Sequence, residues 1–131
     1  MRSLITASCL AMIAPMLVAQ HYQGALAGKR LVLEGTQCAG WQFRPDGTVL
    51  RFDEINCTHG GEPTLQTRVR WVGSDQFLLV ESSKDSGNPG CPPRVWFYKV
   101  QSIFGSKVTL KEIWLGWGQD NDSIEVYKVI Q

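Results

Sequence analysis

Apolar and polar residues alternate with a period of two along most of the chain after residue 28. The clearest run is TLQTRVRWV (64–72), where Leu65, Thr67, Val69 and Trp71 alternate with Gln66, Arg68 and Arg70. In KRLVLEG (29–35) Leu31 and Leu33 stand opposite Val32 and Glu34, and in GWQFR (40–44) Trp41 and Phe43 share a face. TVLRF (48–52), FLLVES (77–82), RVWFYKV (94–100), KVTLKEIWL (107–115) and SIEVYKVI (123–130) complete the set. Successive side chains of a strand point to opposite faces, so each run reads as a strand with one face toward a core. β-Branched and aromatic residues are enriched in them, as pleated surfaces favour.

Turn signals separate the runs. RPDGT (44–48) offers Pro45 with its φ preset and Gly47 free to take positive φ. VGSDQ (72–76) and FGSK (104–107) are short and contain glycine, as hairpin loops do. Short loops make neighbouring strands antiparallel. No segment after residue 28 repeats apolar residues at helical spacing. The expected fold is therefore all-β: an antiparallel up-and-down meander of about eight strands forming a small closed or half-open barrel. A two-sheet sandwich is the alternative. Two longer connections, INCTHGGEPT (55–64) and SSKDSGNPGCPP (82–93), each hold a cysteine, and GWGQDND (116–122) is a third.

The first residues read differently. Arg2 precedes an uncharged run from Leu4 to Ala19, the charged and apolar regions of a secretory signal. The run has 16 residues and contains Pro15, whereas a membrane span needs ~20 apolar residues. We expect a signal peptide over 1–19, with cleavage as late as residue 27, and a single barrel domain over 28–131 in the periplasm or outside the cell. No stable membrane span is expected after cleavage.

Export changes the meaning of the cysteines, because thiols outside the cytoplasm oxidise. Cys9 lies in the signal, leaving Cys38, Cys57 and Cys91. A two-residue turn centred on Asp46 and Gly47 would pair residues whose numbers sum to 93. That sets Cys38 across from about residue 55, near Cys57. A Cys38–Cys57 bridge would close about 20 residues and contribute roughly 3 kcal/mol in the chain-entropy account. Cys57–Cys91 remains open as a pairing between the two long loops, with Cys91 otherwise left over.

A glycine and tryptophan opening an early strand, Gly40–Trp41, followed by a strand succession through Ile130, resembles the lipocalin-like (calycin) barrels, including the small periplasmic inhibitor barrels of Gram-negative bacteria. The resemblance implies a binding fold.

Catalytic and metal chemistry find little support. Cys57 and His59 stand two apart in CTHGG, but nothing supplies a third group to orient a dyad. The paired spacing of a zinc ribbon is absent, and no cofactor is expected. Asp120 and Asp122 in QDND suit a polar turn as well as a weak calcium site. With 13 Lys+Arg against 12 Asp+Glu, no long-range field would gather nucleic acid. The aromatic residues are more suggestive. Trp41, Trp71, Trp96 and Trp114 sit in strand runs and suit a core, whereas Trp117 lies between two glycines. In VWFYKV, Trp96 and Tyr98 share one face, and Val95 and Phe97 the other. The expected binding residues are Trp117, Trp96, Tyr98 and His59. The expected function is a non-enzymatic exported binding protein that engages a protein partner, for example as a hydrolase inhibitor, through loops and an aromatic patch. The alternative is a carrier of a small apolar ligand inside the barrel.

Overall fold

A computed structural model describes residues 22–82, 90–116 and 121–130. Eight strands follow one another in the chain: β1 (Arg30–Leu33), β2 (Gly40–Phe43), β3 (Thr48–Phe52), β4 (Leu65–Trp71), β5 (Gln76–Glu81), β6 (Val95–Phe104), β7 (Lys107–Ile113) and β8 (Ser123–Ile130). Each pairs antiparallel with the next, and β1 pairs with β8, so the meander is a closed barrel. The half-open and sandwich alternatives fall away. Among the described residues no helix is long and apolar enough to cross a membrane.

Closure turns the period-two pattern into an inside and an outside. Leu65 and Thr67 are buried, Val69 and Trp71 pack against the core, and Gln66, Arg68 and Arg70 are exposed. The interior holds a run of aromatic contacts: Trp71 to Phe77 at 5.0 Å between ring centroids, Phe77 to Tyr98 at 5.5 Å, Tyr98 to Trp41 at 6.3 Å and Trp41 to Trp96 at 5.9 Å. Offset and edge-on pairs of this kind add about 0.5–1.5 kcal/mol each beyond their buried area. Thr67 is fully buried among them, and its hydroxyl donates to the Val49 carbonyl at 2.9 Å.

The β2–β3 register corrects the expected turn. Trp41 pairs with Arg51 and Phe43 with Val49, so paired numbers sum to 92 rather than 93. Three residues, Pro45 to Gly47, form the loop, closed by the Arg44 amide donating to the Thr48 carbonyl at 2.8 Å. Gly47 takes φ of 88°, and the Asp46 carboxylate accepts from the Thr48 amide at 2.9 Å. A one-residue slip exchanges the faces of a whole strand. Val49 and Arg51 therefore point inward, and Leu50 does not.

Gly40 is required by close packing. Its φ is 147°, and a Cβ there would stand 2.0 Å from the Leu31 carbonyl oxygen. On the outer face the Arg30 guanidinium lies 4.1 Å from the Phe52 ring centre and also donates to the Cys38 carbonyl.

The two ends of the barrel differ. The connections 44–47, 72–75 and 105–106 are short and gather at one end. Residues 22–26 form a helix, α1, that packs there and inserts Leu26, which is 0% exposed. The connections 34–39 and 53–64, with residues 82, 90–94, 114–116 and 121–122 of the two others, gather at the other end, the mouth. One of them contains a single helical turn, α2 (Glu54–Cys57), which the strand pattern did not predict. Cys38 and Cys57 are bridged on one side of the rim with Cα atoms 5.9 Å apart, and Cys91 is free and exposed. The Cys57–Cys91 alternative is excluded. The bridge is compatible with an oxidising, exported location.

Replacing Cys38 and Cys57 together by Ser is expected to lower the thermal midpoint by several degrees, and Cys91→Ser to leave it unchanged, in circular-dichroism melts. Leu26→Ala should cost about 2–4 kcal/mol in denaturant titrations.

Candidate functional site: a charged cup at the barrel mouth

The aromatic core fills the barrel from the closed end only as far as Trp41 and Trp96. Above them lies a cavity of about 390 Å³, open at the mouth. Its floor and walls include Trp41, Trp96, Tyr98 and Tyr127, and its upper wall carries Arg51, Glu112 and Glu125. The register explains why charges point inward. Arg51 pairs with Trp41, Glu112 pairs with Tyr98, and Glu125 pairs with Leu110, each the partner of a core residue. These positions continue the interior rows of β3, β7 and β8 beyond the packed core.

Glu112 and Glu125 occupy neighbouring strands and are hydrogen-bonded to one another. The Tyr98 hydroxyl, 3.5 Å from Glu112 Oε2, donates to it, and the Tyr127 hydroxyl donates to Glu125. The Trp41 indole N–H donates in turn to Tyr127. Two carboxyl groups this close disfavour joint ionisation, and Glu112 holds a proton that it donates to Glu125. Burial first, and then the hydrogen bond and charge of Glu125, push Glu112 up to about 7, against the pull of Arg51. Burial and the neighbouring carboxylates likewise raise the Tyr98 and Tyr127 phenols, which remain neutral donors.

Arg51 forms an ion pair with Asp53 at 3.3 Å, with its guanidinium 5.6 Å from the Trp41 ring and 5.9 Å from the Trp96 ring. At the rim the Glu54 carboxylate accepts from the backbone amides of Gln37, Cys38 and Ala39, at 2.7, 3.0 and 3.0 Å. Those bonds hold it below the usual carboxylate range. Glu81, whose side chain is nearly buried at the foot of the β5–β6 connection, accepts from the Arg94 backbone and guanidinium and is held low by them.

The expected binding residues divide. Trp96 and Tyr98 face inward, at 5% and 2% exposure, and meet the cup as part of its lining rather than as a surface patch. Val95 and Phe97, on the other face, are half-buried on the outside of the barrel. His59 is exposed in the loop after α2, with Nδ1 2.8 Å from the Ile55 carbonyl oxygen, and borders a separate shallow depression. It shares no site with Trp96 and Tyr98. Trp117 and Asp120 lie outside the described residues. Trp114, expected in the core, lies beyond the end of β7 and is 44% exposed beside Leu115 at 45%. The Asp122 carboxylate accepts from the Trp114 amide at 2.9 Å and pairs with Lys111 at 3.3 Å, so it anchors the loop.

Chemically, Cys57 is locked in the disulfide and offers no thiolate to His59. The same bridge removes the thiols from the one group of three candidate metal ligands among the described residues, Cys38, Glu54 and Cys57. The residues missed from sequence were Arg51, Glu112 and Glu125. Alternation does place Glu112 in register with Leu110 and Val108 on one face of β7, a readable signal of an inward acid.

Compared with protein-family models, curated proteins and solved structures, the chain matches none.

The raised Glu112 favours the folded state while protonated. That contribution is complete below about pH 4.5, the unfolded value, and is lost as pH rises toward about 7. Glu54, Glu81 and Asp122 are lowered and work in the opposite sense, losing stability as pH falls. The difference between variant and wild type isolates Glu112. Glu112→Gln should gain thermal midpoint relative to wild type between pH 5 and 8, read by paired melts.

Proposed function

We propose that the chain is a small exported binding protein without catalytic activity, acting in the periplasm or outside the cell, which holds a protein partner at the barrel mouth. Inhibition of a hydrolase is one activity such a module can have. The observation that carries this reading is the cup itself, shallow and charged above a filled core, with Trp114 and Leu115 exposed at its edge. Tryptophan is enriched among the residues that anchor protein interfaces. Ile55 on α2, 79% exposed, adds apolar surface at the same end. The likeness to lipocalin-like barrels, resting on Gly40–Trp41 and the meander, agrees with a binding role.

The carrier reading has one point in its favour, since about 390 Å³ is within the range of small-ligand pockets. The lining weighs against an apolar cargo. An apolar molecule would strip water from Arg51, Glu112 and Glu125 and return no hydrogen bond.

Pull-down from the native extracellular or periplasmic fraction, with the full chain as bait, tests this reading. A partner should be captured by wild type. Trp114→Ala combined with Leu115→Ala should weaken the complex by about 2 kcal/mol or more, roughly thirtyfold in affinity. Capture indifferent to these changes, or co-purification of an apolar small molecule alone, would reject it.

A further inference from the structure

Among the described residues, the cup carries acidic charge that no ion pair matches. Of its ionised groups, Arg51 is paired with Asp53, and Glu54 is held by three backbone amides. Among the described residues, Glu112 and Glu125 have hydroxyl donors, from Tyr98 and Tyr127, and each other. Arg51 acts on Glu112 through space, and its one ion pair among the described residues is with Asp53. Among the described residues, what lies between the two carboxyl groups is the proton that keeps Glu112 neutral.

Resting on the docking reading above, we propose that the cup receives an organic cation, the ammonium or guanidinium end of a lysine or arginine side chain presented by the partner, which takes the place of that proton between Glu112 and Glu125. Two carboxyl groups supply too few oxygens for Ca²⁺, which takes six to eight, or for a protein-held Mg²⁺. A cavity of about 390 Å³ is also far larger than a bare ion needs. A side chain fits it better. The long alkyl stem of lysine or arginine lies against apolar surface while its charged head reaches a polar end. Here the stem would pass Trp114 and Leu115 at the edge, and the head would meet the carboxylates above the Trp41 floor. Those rings already accept a guanidinium, that of Arg51.

The groups facing the pair are Arg51 from β3, Tyr98 from β6 and Tyr127 from β8, with Asp53 and Glu54 at the rim. Both phenols are raised and stay protonated, and Glu112 is the group raised to about 7. Cation binding then releases about one proton. The deprotonated fraction of a group with pKa about 7 rises from about 0.1 at pH 6 to about 0.9 at pH 8, so affinity should rise about tenfold over that interval.

The test titrates the full chain with Nα-acetyl-lysine methylamide, its uncharged analogue Nα-acetyl-norleucine methylamide, and n-butylammonium at fixed ionic strength, following the Trp41 indole N–H by NMR. The lysine derivative should bind at least tenfold more tightly than the norleucine derivative and gain about tenfold from pH 6 to 8. Glu112→Gln should abolish that pH dependence and weaken binding to the norleucine level. Glu125→Gln serves if the first variant unfolds. Equal binding of the two amino-acid derivatives, a flat pH profile, or unchanged binding by a folded Gln variant overturns the inference. Binding of n-butylammonium with exclusion of the lysine derivative overturns its assignment to a side chain. Failure here with partner capture still dependent on Trp114 rejects the cation site and leaves docking standing. Lysine binding with capture indifferent to Trp114 rejects docking instead.

Discussion

The pairing of β1 with β8 is the constraint on which the rest of the structure depends. Leu31 meets Val129 and Leu33 meets Tyr127 across that seam. Without it, two strand edges would stand open to other chains. With it, every inward position points into one narrow space. Eight strands enclose an interior just wide enough for side chains to fill. What occupies each inward position then decides whether that level of the barrel is solid or hollow. Phe43, Phe77, Tyr98 and Trp41 make the lower levels solid. Arg51, Glu112 and Glu125 occupy the same rows nearer the mouth and cannot pack dry, so that level stays open to water. The cup follows from closure together with three inward charges.

The mouth is also fixed more firmly than four long connections would suggest. Glu54 begins a single helical turn, and its carboxylate gathers three successive amides of the β1–β2 connection. The Cys38–Cys57 bridge ties the same two connections a few ångströms away. Ionic and covalent ties at one point restrict the rim on the side where Arg51 and Asp53 pair. A site held in place before its ligand arrives avoids the ordering cost that a loose loop would add on binding. Across the cup, Asp122 ties Trp114 to Lys111 and gives the β7–β8 connection a similar anchor.

Much of the fold was legible in the sequence, because alternation is a local property and closure reinforces it. All eight strands lie where period-two patterning placed them, within a residue or two except at the long end of β6, which continues past a bulge near Gln101 to Phe104. Turn chemistry located the Pro45–Gly47 loop but not its length. Asn- or Asp-Gly is compatible with two- and three-residue loops alike, and only the long-range pairing of Gly40 with Phe52 decides between them. That one residue matters to the site, since it determines that Arg51 rather than Phe52 enters the cup. The tryptophans were legible by default as core, correctly for Trp41 and Trp96 and wrongly for Trp114, where β7 ends one residue earlier. The carboxyl pair was the least legible. Alternation with Val108 and Leu110 marks Glu112 as inward, but Glu125 comes from a strand whose register against β7 no local signal reveals, so their pairing could not be read.

The two tyrosines join what would otherwise be separate layers. Tyr98 stacks on Phe77 deep in the core, and its hydroxyl reaches Glu112. Tyr127 sits against Leu33 and Val108, and its hydroxyl reaches Glu125. Each ring is therefore core at one end and cup at the other, as an amphipathic aromatic allows. Among the described residues no buried side-chain polar atom lacks a hydrogen-bond partner. The strain in the cup is thus one of charge rather than of missing bonds: two acids are kept together by packing beneath them and by the proton between them. Removing that proton by raising the pH leaves the packing in place and the repulsion unanswered. Two negative groups held together by a rigid floor attract positive charge because they cannot separate. A pair of acids on a mobile loop would relieve the same repulsion by moving apart.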